Sequence, residues 1–262
     1  MNLPLVGLVI ATYLEQNQRY LDECLKSIKN LSYPKDKIQV MVKSSGDYEP
    51  TVDLDIPYLH VLHHGRQVHY PESINLGIEE LKKRFGDVFD YYLLLNDDTV
   101  LTKDSLANLV IGAMGNHMAI YQPVSNCDNH WRYLLPFKAG EKHIMNRFYR
   151  YDDLANDFEN MRNASSPVAS GYMFAEWVAL YATLISKKVW DIVGPLDPKF
   201  KTGQDDVDYC KRAKMHGIPC VINLSSLIWH FGGVTADVAL TPEIRNENLA
   251  YFKSKYNGEM PV

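Results

Sequence analysis

The spacing of apolar positions divides the chain into two unlike parts. In the N-terminal half, short unbroken apolar runs at Leu5–Ala11, Ile38–Val42, Tyr58–Leu62 and Tyr91–Leu95 have the length of buried strands. Between them, apolar residues recur at helical spacing: Leu21, Leu25 and Ile28 within Arg19–Lys29, and Ile74, Ile78 and Leu81 within Glu72–Phe85. A third helix is predicted over Lys103–Gly115, with Thr102 as its N-cap. Strands alternating with helices predict an α/β architecture with a mostly parallel sheet covered by helices.

From Ser125 to Tyr172 this regularity stops. The segment is rich in Asn, Arg, Tyr and Asp and reads as loops and short helices. Its aromatic residues Trp131, Tyr133, Phe137, Phe148, Tyr149 and Tyr151 suit sugar stacking or a local core under a long loop. Asn163-Ala164-Ser165 matches the glycosylation pattern and is read as chance. Periodicity returns with a strand-like run at Trp177–Ser186 and a short helix at Ser186–Val193 closed by Gly194-Pro195. A helix follows at Asp205–His216, stopped by Gly217, then short strands at Ile218–Ile222 and Leu227–Trp229. The tail from Thr235 is polar and partly helical by its pattern.

With 262 residues, 46% of them hydrophobic, the chain can bury a sizeable core in one large domain or one domain with an appendage. The net charge of −5 and the lack of a basic stripe argue against nucleic acid as a partner. Cys24, Cys127, Cys210 and Cys220 show no C-x-x-C spacing, so neither structural zinc nor a redox dithiol is suggested. Buried free thiols fit better and favour a reducing, cytoplasmic setting. Leu5–Ala11 is too short to span a bilayer and lacks the flanks of a signal peptide, so no transmembrane span is expected, while peripheral membrane contact stays open.

Three clusters carry chemistry. The run Tyr91–Leu95 ends in Asn96-Asp97-Asp98-Thr99. This holds an amide and two carboxylates at the carboxyl edge of a sheet, where α/β folds bind ligands. Such a set suits a hard divalent cation, which in turn holds phosphates. A turn and helix cap would use the same residue types, but Thr102 takes the cap role. Asp205, Asp206 and Asp208 open a helix; dipole complementarity accounts for one or two of them, and a base there has its charged form stabilised. His230 follows Leu227-Ile228-Trp229 and precedes Phe231-Gly232-Gly233, where glycines permit close approach of a ligand; a structural histidine is the alternative.

In order and spacing, these stretches resemble an inverting glycosyltransferase of family 2 with the GT-A fold. Val6–Tyr13 is similar to the family's first strand and nucleotide-contacting turn, Glu72–Ile78 to its Asn-x-Gly helix segment, and Leu94–Thr99 to its D-x-D motif. Val193–Phe200 is similar to the loop leading to the acceptor site, Asp205–Ala213 to the E-D-x-D helix, and His230–Gly233 to the late histidine motif. The resemblance implies a Rossmann-like, mostly parallel central sheet flanked by helices, with a loop-rich acceptor-side region. It implies a single domain over residues 1–262, with a nucleotide-sugar-binding half at 1–124, an acceptor-binding and catalytic half at 125–235 and a tail at 236–262.

The resemblance also implies roles. Asp98 and His230 would ligate Mn²⁺ or Mg²⁺. Asn96 would contact ribose or a metal-bound water, Asp97 the ribose or sugar, and Thr12, Tyr13 and Asn75 the nucleotide. Asp206 would be the general base, with Asp205 its neighbour or substitute. The chain departs from the family in three places. Lys43 stands where an acid usually reads the base, with Asp47 or Ser44 as substitutes. Asp205 replaces a longer acid. Arg66–Pro71 lacks the usual small residues, and Arg66 is assigned either to phosphate or to a solvated loop. The implied reaction moves a sugar from a UDP- or dTDP-linked donor, rhamnose being one candidate, to a hydroxyl of a glycan, glycolipid or glycoprotein. The rivals are a sugar-nucleotide-binding pseudoenzyme and a nucleotidyltransferase, the latter disfavoured because Ala11–Glu15 is neither Gly-rich nor basic.

Overall fold

The computed structural model describes residues 3–13, 15–52, 56–126, 158–163, 170–232 and 240–261. Four strands of the N-terminal half, β1 (Val6–Thr12), β2 (Ile38–Ser45), β3 (Leu59–His64) and β4 (Tyr91–Asn96), run parallel in the order β3-β2-β1-β4. Helix α1 (Gln18–Lys29) links β1 to β2, and α2 (Tyr70–Phe85) links β3 to β4. The second half adds β5 (Thr99–Leu101), β6 (Ile120–Ser125), β7 (Tyr172–Ala175), β8 (Ala182–Ser186) and β9 (Cys220–His230). β8 lies antiparallel between β4 and β6, β9 is parallel to β6, and β5 and β7 pair antiparallel with β9. The sheet is therefore mixed, with its long parallel block in the N-terminal half. The remaining described helices are α3 (Ser105–Gly115), α4 (Phe158–Asn163), α5 (Lys187–Val193), α6 (Asp205–Met215) and α7 (Pro242–Lys255).

The alternation of side chains along each strand sorts the core into two layers. Val6, Leu8 and Ile10 of β1 face one side and pack with Leu21 and Ile28 of α1 and Leu109 of α3. Val9 faces the other side, with Met41 and Leu94, beneath Ile74, Ile78 and Leu81 of α2 and Tyr209 of α6. The second layer is tight where α2 crosses β1. A Cβ added at Gly77 would sit 2.3 Å from Val9 Cγ1, so the absence of a side chain there lets the helix lie against the strand.

The structure departs from the pattern in four places. Trp177–Ser186 is a strand only from Ala182, because the backbone before it is satisfied by side chains: Val178 N–H donates to Cys210 Sγ at 3.4 Å and Ala179 N–H to Gln122 Oε1 at 2.9 Å. The two short strands expected at Ile218–Ile222 and Leu227–Trp229 are one strand, β9, whose register against β6 shifts between Pro123 and Val124. The polar residues that suggested a break are bonded to α3, Asn223 Nδ2 donating to Asn108 O at 2.9 Å and Ser226 Oγ to Ser105 O at 2.9 Å. Thr102 does not cap α3; its hydroxyl donates to Leu227 O at 2.8 Å, and Asp104 occupies the N-cap without a side-chain bond. The short strands β5, β6 and β7 were not legible from periodicity. The aromatic residues between Trp131 and Tyr151, and Ala164 and Ser165 of the glycosylation pattern, lie outside the described residues. Among the described residues, no helix is long and apolar enough to cross a membrane.

Filling the contact at Gly77 tests this packing. Gly77→Ala should destabilise the protein by about 1–3 kcal/mol through overpacking against Val9, read as a lower midpoint in urea unfolding with an unchanged slope.

Candidate active site

Strand ends from both halves of the chain converge on one cavity of about 270 Å³. Thr12 and Tyr13 come from the end of β1, Asn96, Asp97 and Asp98 from the end of β4 and the turn after it, and His230 from the last position of β9. The pairing of β5 with β9 sets Thr99 opposite His230, and Phe231 N–H donates to Asp98 O at 2.9 Å, so the acidic turn and the histidine share one backbone ladder. His230 Nε2 lies 3.2 Å from Asp98 Oδ1 and 3.5 Å from Asn96 Nδ2. Asn126 grips the His230 backbone with both amide atoms, accepting from His230 N–H at 2.7 Å and donating to His230 O at 2.9 Å. The Tyr181 ring stacks on the imidazole at 4.4 Å.

Asp97 is held differently. Its Oδ2 accepts from Thr12 Oγ1 at 2.6 Å and from Asn17 Nδ2 at 3.0 Å. Burial, and next the charge of Asp98, raise its pKa above the ordinary carboxylate value against those two bonds.

The opposite wall is the start of α6. Gly203 (φ 96°) and Gln204 (φ 61°) both take left-handed backbone conformations, which for the glutamine costs about 1–3 kcal/mol. Gly203 N–H donates to Asp205 Oδ1 at 2.9 Å. Helix α7 fixes this entry: Asn248 Nδ2 donates to Thr202 O at 3.0 Å and Gly203 O at 2.9 Å, and its Oδ1 accepts from Lys201 N–H at 3.1 Å. Asp205 is buried and Asp206 half-buried, and both line the cavity. Burial, then the charge of Asp206, raises Asp205; burial raises Asp206. Asp208 does not reach the cavity. It is fully buried and accepts from Arg212 Nε at 2.9 Å, Tyr256 Oη at 2.8 Å and Lys255 Nζ at 2.6 Å, which ties α7 to α6.

Three residues expected at the site are not brought to the cavity. Both amide atoms of Asn75 are taken by Leu196, whose carbonyl accepts at 2.8 Å and whose N–H donates at 3.0 Å, so Asn75 pins α2 to the loop before α6. Lys43 is fully buried and donates to Ser44 O; burial and then the Arg66 charge lower it to about 8. Arg66 is exposed and paired with Glu72. A second depression, beyond Tyr13, is lined by Glu15, Asp47, Glu49 and Gln67.

Asn17, Asn126, Tyr70, Tyr181 and Asn248 were missed by sequence reasoning. Only Asn126 carried a legible signal, an amide directly after the apolar run of β6. Tyr70 stands between the acidic clusters; burial, then Asp205, Asp206 and Asp98, push its hydroxyl well above its usual pKa.

The cavity thus carries four carboxylates and two imidazoles, His69 and His230, and among its described lining residues no lysine or arginine. Among the described residues, no group of three or more His, Cys, Asp or Glu side chains is arranged to hold a metal unaided. The donor set of Asp98 and His230 fits a divalent cation that completes its shell with phosphate oxygens and water, as cations of the Mg²⁺ type do beside substrate phosphates.

The profile of the family described as Glycosyltransferase like family 2 matches residues 4–248. No curated protein matches the sequence. Among solved structures, the chain resembles the mannosyltransferase PcManGT from Pyrobaculum calidifontis, in complex with GDP-Man and Mn²⁺, at a TM-score of 0.63 and 14% identity over 100% of this chain and 67% of that one. It also resembles GalNAc-T7, in a crystal structure with UDP, GalNAc and Mn²⁺, at a TM-score of 0.58 and 11% identity over 87% of this chain. It spans 44% of the GalNAc-T7 chain. At these identities the likeness shows a shared GT-A fold.

A buried carboxyl with a raised folded pKa contributes stability that is present below its unfolded pKa and lost as pH rises through the folded value. Asp205→Asn should therefore raise the unfolding temperature more at alkaline than at acid pH. A gain that is equal across pH would refute the raised pKa of Asp205.

Proposed function

Because the chain belongs to the glycosyltransferase-like family 2, we propose that it is a metal-dependent, inverting transferase that moves a sugar from a nucleoside-diphosphate donor to an acceptor hydroxyl. The observation that carries this reading is the cavity of four carboxylates without lysine or arginine. A diphosphate entering such a site is repelled by every fixed charge on its walls, unless a cation lies between. Asp98 and His230 would hold that cation, Mn²⁺ or Mg²⁺. When bound, it supplies the positive charge that stabilises the departing diphosphate.

The remaining work falls to the chain. Thr12 and Asn17 orient Asp97, whose free lone pairs face the ribose or sugar hydroxyls. Tyr13 stands between the cavity and the depression lined by Asp47 and Glu49, which receives the base; a carboxylate accepts the ring N–H that uracil, thymine and guanine all offer. This moves base recognition from Lys43 to the loop after β2. Asp206 is the base. It is the less buried carboxylate at the α6 terminus and faces the cavity, so it takes the proton of the acceptor hydroxyl as that oxygen attacks the anomeric carbon and the bond to the diphosphate breaks. UDP- and dTDP-sugars, rhamnose among them, and GDP-sugars are the donors to screen, with glycans, glycolipids and glycoproteins as acceptors.

Calorimetry with UDP, dTDP and GDP, each with Mn²⁺, Mg²⁺ or EDTA, tests the donor site. One nucleotide should bind in a metal-dependent way, and Asp98→Ala should remove the metal dependence; affinity unchanged by metal or by this substitution overturns the metal assignment. Asp206→Asn should keep donor binding and lower transfer by about 10²–10⁴-fold. The base must be ionised, so transfer should fall as pH drops through its raised pKa, placing the acid limb above the ordinary aspartate value of 3.8. A greater loss with Asp205→Asn would transfer the role to that residue. Binding without transfer to any acceptor identifies the pseudoenzyme, and sugar-nucleotide synthesis from a nucleoside triphosphate and a sugar phosphate identifies the nucleotidyltransferase.

A further inference from the structure

Away from the cavity, two thiols meet across the seam between α6 and β9. Cys210 lies in the second turn of α6, the helix whose first turn carries Asp205 and Asp206, and Cys220 is the first residue of β9, the strand that ends in His230. Both are free thiols, 1% and 4% exposed, and their side chains are hydrogen-bonded to each other. Cys220 lines a surface depression of about 430 Å³ with Phe174, Lys214 and Pro219. Cys210 sits behind it and lines no part of that depression. Its sulfur donates to Val178 O at 3.6 Å and accepts from Val178 N–H at 3.4 Å.

The two thiols are not equivalent. The bond from Cys210, and then the ammonium of Lys214, favour the thiolate of Cys220 and lower its pKa. That same bond, and then burial, hold Cys210 protonated. An approachable thiolate near a cation with a second thiol in contact is the arrangement of a reactive cysteine and its resolving partner. Cys24 provides an internal contrast. It is fully buried, its thiol lies 3.7 Å from Thr99 Oγ1 and 3.9 Å from Asn96 O, and burial pushes its pKa far above the usual thiol value.

We propose that Cys220 and Cys210 form a peroxide-reactive dithiol whose disulfide ties the helix of the acidic pair to the strand of His230. The Cys220 thiolate attacks one oxygen of hydrogen peroxide, the O–O bond breaks, and hydroxide leaves, giving a sulfenic acid. The Cys210 sulfur then attacks the Cys220 sulfur. The S–O bond breaks, and the oxygen leaves as water with the Cys210 proton. Overall two thiols are oxidised to one disulfide, and one peroxide is reduced to two waters.

The test is peptide mass mapping of the full chain after brief treatment with hydrogen peroxide, in a Cys127→Ser background that removes the cysteine outside the described residues. A linked Cys210–Cys220 peptide should form, disappear on reduction, and leave Cys24 open to alkylation after denaturation. In Cys210→Ser, the sulfenic acid at Cys220 should be trapped by dimedone about tenfold or more faster than any at Cys24. A pair that stays reduced while Cys24 is modified at the same rate, or linkage of Cys24 to either partner, overturns the proposal. The wild-type map needs no substitution at the pair itself and no transfer assay, so its outcome is independent of the donor reading.

Discussion

The site rests on one constraint, the confinement of like charge. Asp97, Asp98, Asp205 and Asp206 line a single cavity, and three of them are buried. In an interior of reduced dielectric, each ionised carboxylate raises the pKa of the next, and burial adds to the penalty. The fold meets this cost with fixed donors rather than with basic side chains: the Thr12 hydroxyl and Asn17 amide at Asp97, and the Gly203 N–H at Asp205. What remains is a negative pocket with room for a cation and an anionic ligand held together.

Bringing those groups into register is the work of the sheet. Asp98 and His230 are far apart in the chain, yet the antiparallel pairing of β5 with β9 fixes them side by side. Asn126, at the end of β6, clamps the backbone of His230, and the stacked Tyr181 restricts its ring. The wall opposite is set by α7, a helix that contributes no side chain to the cavity. Its Asn248 holds the carbonyls that precede α6, which keeps Gln204 in a backbone conformation it would not adopt in isolation. The last helix is thus part of the site through the geometry it imposes.

How much of this was legible in the sequence follows from the range of the interactions. The four parallel strands and three N-terminal helices were readable because hydrophobic period is a local property, and each lies within a few residues of its expected bounds. Asp97, Asp98, Asp205, Asp206 and His230 were readable because each interrupts or ends a regular element. β5 and β7 were not, since a short strand is defined by its partner rather than by its own pattern. The break expected in β9 misled because polar residues there are buried against α3, a contact that no local window contains. Lys43, Arg66 and Asn75 were displaced for a similar reason. Position along a motif gives a residue's address, while the direction of its side chain depends on what packs against it, and Asn75 turns toward Leu196.

The three aspartates of α6 show how one helical turn supports three different conditions for the same side chain. Asp208 faces inward and meets Arg212, Lys255 and Tyr256, so its charge is fully compensated and serves to hold α7 in place. Asp205 is buried against a like charge and bonded to Gly203, a position that disfavours ionisation. Asp206 keeps contact with the cavity, with one oxygen bonded to Val207 N–H at 2.8 Å. A general base must be ionised before reaction, reachable by the acceptor, and basic enough to take its proton. Asp208 fails on reach and Asp205 fails on charge. Asp206 alone meets all three conditions, and its raised pKa, which costs the fold stability, is the property that makes it a better base.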